Sequence, residues 1–384
     1  MIEKFQEWYE NRHKYQKEYK ERTGRKIVGY FCTYAPEEIF YAFDVLPVRI
    51  LGSHEPQDVT EPHIFGMFCP FCRDVLAQGL KGRYDYLDGI MISQSCLHLR
   101  QAFTSWELHK NPGWSHFLPM PSHVQSKRAV PFLVEEYKLL IEKLEQLTGK
   151  KITDDDLRRG IQIVNKARRL MKEIYEFRKQ ENPPITGAEA MYMVCAYFFV
   201  DAREFIEVAE KVKEELKTRT LDRNPGKRIM LIGSENDDIE YIKMIETLGE
   251  RESVGCTVVV EEHCTTTRFF WDEVDENLGN TDPLRAIAER YVYRTPCPSK
   301  DWPNRGRLDV ILNFAKEFKV DGAIVIQQKF CDPHECDIPF VRKHMEKNGI
   351  PTYFLEFDVT VPAGPFAIRT EAFLETLEAE EDLF

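Results

Sequence analysis

No stretch of this 384-residue sequence approaches the roughly 20 consecutive apolar residues that span a bilayer, so no membrane partner is expected. Nor is positive charge in excess. Sixty-four acidic residues against 52 Lys and Arg leave a net charge of −12, which argues against nucleic acid, whose phosphates need a basic face. The stretch 1–26 is charged and lacks the apolar core of a secretory signal, so a cytoplasmic location is expected. There is no G-x-x-x-x-G-K-[ST] phosphate loop, and "LIGSENDD" (231–238) lacks the glycines of a dinucleotide fingerprint. H-E-x-x-H and G-x-S-x-G are absent too. No motif for binding ATP or a nicotinamide is present, and any chemistry must come from a bound group, a partner, or both.

What the chain does have is ten cysteines. Disulfides rarely persist in a reducing cytosol, where clustered thiols more often mean metal, cluster or redox chemistry. Free cysteine is also a small, usually buried hydrophobe. Cys195, inside "MYMVCAYFFV" (191–200), reads that way.

Short apolar runs alternate with helical patterns at both ends of the chain. "KIVGYFCTY" (26–34), "DGIMISQSC" (88–96) and "HFLPMP" (116–121) read as strands in the first third. "APEEIFYAFDVLPVRIL" (35–51) and "PFCRDVLAQGLKGRYDYL" (70–87) read as helices between them. From 131 to 223 apolar residues recur at helical spacing, with "TDDD" offering an N-cap. Then "KRIMLIGS" (227–234), "CTVVVEEHC" (256–264), "DGAIVIQQKFC" (321–331) and "TYFLEFD" (352–358) resume the alternation. The expectation is an α/β protein of two doubly wound parallel-sheet (Rossmann/flavodoxin-like) domains, 1–130 and 224–384, joined by an α-helical segment over 131–223. The two α/β halves are candidates for relatives of each other.

The thiols crowd one edge of this scheme. Cys32, Cys96, Cys264 and Cys331 fall at or just past the carboxyl ends of expected strands, where open α/β sheets bind ligands. Cys69 and Cys72, in "FCPFCRDV" (68–75), fall at a helix start, where the dipole and free N–H groups favour thiolate. A structural zinc site usually brings paired C-x-x-C knuckles, and here there is one pair. A thioredoxin-type couple would leave Cys96 and Cys331 unexplained. An iron–sulfur cluster accommodates dispersed thiolates best. His98, near Cys96, is a candidate proton donor or a helix-start histidine bonded to a nearby carbonyl. Arg73 and Arg100 would neutralise a cluster, bind a phosphate, or make surface ion pairs. Glu261, Glu262 and His263 sit at a strand end, and the proline-rich loop 294–303 carrying Cys297 suggests a wall or lid of a cleft.

"CPFCRDVLAQGLKGRYDYLDGIMISQSCLHLRQAFTSWE", "DPLRAIAERYVYRTPCP" and "DGAIVIQQKFCDPHECDIPFVRKHMEKNGIPTYFLEFD" resemble the 2-hydroxyacyl-CoA dehydratase and benzoyl-CoA reductase family. The context "QSCLHLRQAF" is most similar to a B-type component of benzoyl-CoA reductase, with the C type close to it. The resemblance implies a catalytic subunit holding a 4Fe–4S cluster through Cys69, Cys96 and Cys331. Cys72 and Cys336 stand as candidates for a further ligand. It also implies a homologous second subunit, an acyl-CoA substrate, ferredoxin as upstream donor, and a separate ATP-hydrolysing iron–sulfur activator. The implied activity is ATP-dependent reduction of the aromatic ring of benzoyl-CoA to a cyclic dienoyl-CoA. The alternatives are radical dehydration of a 2-hydroxyacyl-CoA, or electron transfer without catalysis.

Overall fold

Among the described residues, the Val- and Ile-rich runs become eight strands in two separate sheets. A computed structural model describes residues 1–56, 58–251, 255–360 and 363–381. In the first half β1 (Ile27–Tyr30), β2 (Leu46–Arg49), β3 (Gly89–Gln94) and β4 (Ser115–Pro119) pair in parallel in the order β2-β1-β3-β4. In the second, β5 (Lys227–Gly233), β6 (Cys256–Glu262), β7 (Gly322–Gln328) and β8 (Thr352–Phe357) pair in the order β6-β5-β7-β8. The two orders are the same, so the halves repeat one topology. Parallel neighbours need long crossovers, and helices supply them here. Two doubly wound α/β units are therefore the architecture, as the alternation of patterns predicts.

One expected element differs. The helix expected over 35–51 is confined to Glu37–Ala42, and β2 occupies Leu46–Arg49. Between them Asp44 takes a left-handed φ of 58°. Pro47 cannot sit in a helix interior, whereas an edge strand tolerates it. The apolar run Val45–Val48 hid this switch of period.

Four long helices lie between the sheets in sequence: Ala129–Thr148, Asp154–Glu176, Gly187–Tyr197 and Ala202–Leu216. The "TDDD" cap forms, with the Thr153 hydroxyl accepting from the Asp156 N–H in a capping box. Helix Asp154–Glu176 packs on Glu37–Ala42 of the first half and on helix Pro283–Tyr293 of the second. Gly160 permits the first contact, because a side chain there would strike the Glu38 carbonyl. Beside it the buried Arg168 meets Glu38 at 2.5 Å, and the Tyr291 hydroxyl donates to the same carboxylate at 3.1 Å. The helices thus brace both sheets. No helix among the described residues is long and apolar enough to cross a membrane.

The carboxyl edges of the two sheets face each other across direct contacts. Arg49 at the end of β2 pairs with Glu235 past β5 at 2.5 Å. The Gly52 N–H donates to Asp237, which also meets His54 at 2.8 Å. Arg294 donates to the Thr33 carbonyl, and Arg73 pairs with Asp358 at 2.7 Å.

Candidate functional site

Between those facing edges lies a partly open cavity of about 60 Å³. Six of the ten cysteines line it: Cys32, Cys69, Cys96, Cys264, Cys297 and Cys331. Cys32 follows β1, Cys96 follows β3, Cys264 follows β6 and Cys331 follows β7. Topology alone therefore delivers four thiols to the place where such sheets bind ligands. All six are free thiols.

Three of them precede helices. Cys69 caps helix Pro70–Leu80, with proline at its first position, and Cys96 caps helix Leu97–Lys110. Cys331 caps the single turn Asp332–Glu335, and Phe330 before it takes a left-handed φ of 60°. A bulky residue rarely adopts that conformation, and such strain gathers at functional sites. The sulfurs of Cys69 and Cys72 lie 3.1 Å apart. Burial pushes the Cys72 thiol well up, so it stays protonated, and its contact draws Cys69 down to about 6. Burial pushes the Cys96 and Cys331 thiols up as well. The Cys331 sulfur lies 3.2 Å from His334 Nδ1, and His334 Nε2 lies 3.2 Å from Arg268 Nη1. Arginine can only donate, so Nε2 accepts, and the proton of the neutral ring is on Nδ1, directed at the Cys331 sulfur. Burial, which pushes the His334 pKa well down, keeps that ring neutral.

The other three thiols have cations instead of long helices beside them. Arg268 Nη1 donates to Cys264 Sγ at 3.4 Å and is fixed by Glu262 at 2.8 Å. Arg294 lies over the Tyr34 ring at 4.0 Å, and the Tyr34 hydroxyl accepts from the Cys297 N–H at 3.0 Å. Lys300 donates to the Pro121 carbonyl at 3.0 Å, tying loop 294–303 to the first half. Cys32 Sγ sits 3.0 Å from Ser95 Oγ.

Of the residues singled out from sequence, Cys69, Cys96 and Cys331 meet at this cavity. Cys72 stands behind Cys69 and does not line it. Cys336 is exposed, and Cys195 is buried in helix Gly187–Tyr197. His98 is outside the lining. Its Nδ1 accepts from the Cys69 N–H at 3.1 Å, and its Nε2 lies 3.7 Å from Asp332. The Cys69 side chain raises the His98 pKa against the opposing effect of partial burial. Arg73 bridges the two halves, and Arg100 covers the Phe117 ring. Glu261 is paired with Arg178, while Glu262 holds Arg268 and Arg307, so neither carboxylate is free for catalysis. The loop carrying Cys297 forms a wall of the cavity. Sequence reasoning did not find Arg49, Arg268 or His334. Only "CDPHEC", with a histidine three residues past a cysteine, carried a local signal.

Among the described residues, no three His, Cys, Asp or Glu side chains group closely enough to hold a metal ion directly. The thiols instead ring a void, a shape that suits a multi-atom iron–sulfur group bringing its own sulfide. Donor chemistry agrees, since the set is all sulfur with charged N–H donors around it.

A family model described as 2-hydroxyglutaryl-CoA dehydratase, D-component, matches residues 32–377. The chain is 29% identical to the (R)-phenyllactyl-CoA dehydratase beta subunit of Clostridium sporogenes, over 97% of each chain. It is 24% identical to the C-type component of benzoyl-CoA reductase from Thauera aromatica, over 85% of this chain and 84% of that one. With the (R)-2-hydroxyglutaryl-CoA dehydratase beta subunit of Acidaminococcus fermentans identity is 25%, over 92% and 93%.

Proposed function

The chain belongs to the 2-hydroxyglutaryl-CoA dehydratase D-component family, and on that premise we propose that it is an iron–sulfur subunit of an acyl-CoA dehydratase or reductase driven by single low-potential electrons. The observation that carries this reading is the convergence of six thiols from both halves on one cavity. Cys69, Cys96 and Cys331 would hold a 4Fe–4S cluster. Cys32, Cys264 and Cys297 form a second set of three, enough to enlarge the inventory beyond one four-iron cube. When bound, such a group supplies one low-potential electron at a time.

The chain's own residues prepare the site for it. Cys72 directs a thiol proton at Cys69, and His334 directs Nδ1–H at Cys331. Arg49, Arg268 and Arg294 offset thiolate charge in a cavity whose apolar wall includes Phe71 and Leu99. His98, just outside the cavity lining, acts as proton donor through Nε2, since Nδ1 is occupied.

Radical dehydration of a 2-hydroxyacyl-CoA is supported by the likeness to the phenyllactyl-CoA dehydratase beta subunit. Reduction of benzoyl-CoA, the second reading, is supported by the likeness to the C-type component of benzoyl-CoA reductase. Either reaction would need a similar second subunit and an ATP-hydrolysing iron–sulfur activator fed by ferredoxin, because this chain has no nucleotide motif. The test begins with iron, acid-labile sulfide and an electronic spectrum of anaerobically purified protein. An iron-free, colourless preparation would refute the reading. Reconstitution with partner, activator and ATP then separates phenyllactyl-CoA from benzoyl-CoA as substrate.

A further inference from the structure

Arg49 carries buried donors with no acceptor among the described residues. It closes β2 at only 2% exposure, lines the thiol cavity, and lies 4.5 Å above the Phe198 ring. One nitrogen, Nη2, donates to Glu235 at 2.5 Å. Its Nε and Nη1 have no hydrogen-bond partner among the described residues. A buried charged donor left unsatisfied is costly, so an acceptor is expected in the cavity.

Arg268, on the same wall, is a guanidinium satisfied entirely by the protein. Its Nε and Nη2 hold Glu262 and the Gly233 carbonyl, and its Nη1 reaches His334 and Cys264. Every nitrogen is used. Arg49 is held by Glu235 at one nitrogen only, and it lines the cavity that the thiols surround.

Resting on the cluster reading above, we infer that Arg49 is a positioning residue whose Nε and Nη1 donate to sulfur of the iron–sulfur group and raise its reduction potential. The group gains one electron and no proton on reduction, so its negative charge grows by one. A fixed positive charge at contact stabilises the reduced form more than the oxidised one, and the effect is large where water is excluded. Glu235 opposes it. It orients the guanidinium but sets a negative charge beside the same cavity.

The experiment is an anaerobic potentiometric titration of the iron-loaded chain, with the reduced group read by electron paramagnetic resonance. Arg49→Gln should keep its iron while the reduced fraction at a fixed ambient potential falls about tenfold, equivalent to ~59 mV for one electron. Arg49→Lys should recover part of the shift, since charge returns without the fork. Glu235→Gln should move the midpoint the other way, and it supplies the sign even if Arg49→Gln does not fold. An iron-replete Arg49→Gln with the wild-type midpoint would overturn the inference. So would a Glu235→Gln midpoint lower than wild type. A wild-type chain without iron would refute the cluster reading itself, which is a distinguishable result.

Discussion

The six cavity thiols fall into two sets that are stabilised by different means. Cys69 and Cys96 sit at the starts of helices of 11 and 14 residues, and Cys331 opens a single turn. Backbone N–H groups and local partners, Cys72 and His334, serve this set. Cys32, Cys264 and Cys297 lie in loops, with Arg268 four residues past Cys264 and donating to it, and Arg294 and Lys300 flanking Cys297 in its own loop. The first set is assembled by short-range geometry. The second includes a side-chain cation, Arg268, that must be held in place by the buried Glu262, so it is costlier to build and easier to disturb.

The largest expected effect separates the sets by iron content. Cys69→Ser, Cys96→Ser and Cys331→Ser should each lose most of the iron, whereas Cys195→Ser loses none. Cys32→Ser, Cys264→Ser and Cys297→Ser should each retain about half, if the second set holds only the additional inventory. Full iron in all three of the latter would confine the cluster to the first set. Cys72→Ala should keep its iron, because that thiol does not reach the cavity.

Next in size is His98→Gln, read in the reconstituted system. Iron should be retained, and turnover should fall roughly 100-fold with a changed pH profile, as for loss of a general acid. Wild-type turnover would reduce His98 to an acceptor for the Cys69 N–H.

On the second set, Arg268→Met leaves Glu262 with Arg307 as its remaining partner. Stability should fall by about 3–5 kcal/mol, as when one partner of a buried pair is removed. Urea unfolding measures it. A loss no larger than that of Cys72→Ala would mean the cations are dispensable and the contrast between the sets is not energetic.

The same contrast explains how much could be read from sequence. The first set has motifs: C-P after a loop, S-C-L-H at a strand end, C-D-P-H before a turn. Alternation of apolar runs placed seven of eight strands, but Val45–Val48 was lost inside an expected helix because Pro47 and its neighbours fit no period. Cys264 was placed at the cavity edge by its strand, and Cys297 by its loop, yet nothing local joined them to Cys32. Arg49 was hidden twice. Its strand was misread as helix, and its partner Glu235 lies 186 residues away. Long-range charge pairs leave no periodic trace.

The smallest expected effect concerns how the two halves are pinned beside Arg49. His54 belongs to the first half and Asp237 to the second, 2.8 Å apart. Burial works against the charged imidazole, but Asp237 overcomes it and raises His54 from 6.5 to about 10. Burial likewise opposes the Asp237 carboxylate, yet His54 and Arg49 hold it down to about 2, from 3.8. As pH rises from 6.5 towards about 10, unfolded chains lose the imidazole proton while folded ones keep it, so this contribution to stability declines across that window. At the acid end it declines as pH falls from 3.8 towards about 2, where the unfolded carboxyl protonates first. His54→Gln should therefore cost about 1–3 kcal/mol near pH 6, and the gap to wild type should shrink near pH 10. Urea unfolding at both pH values is the measurement. A gap of equal size at both would mean that His54 stabilises the junction by packing alone, and that its charge takes no part in holding the second half against the first.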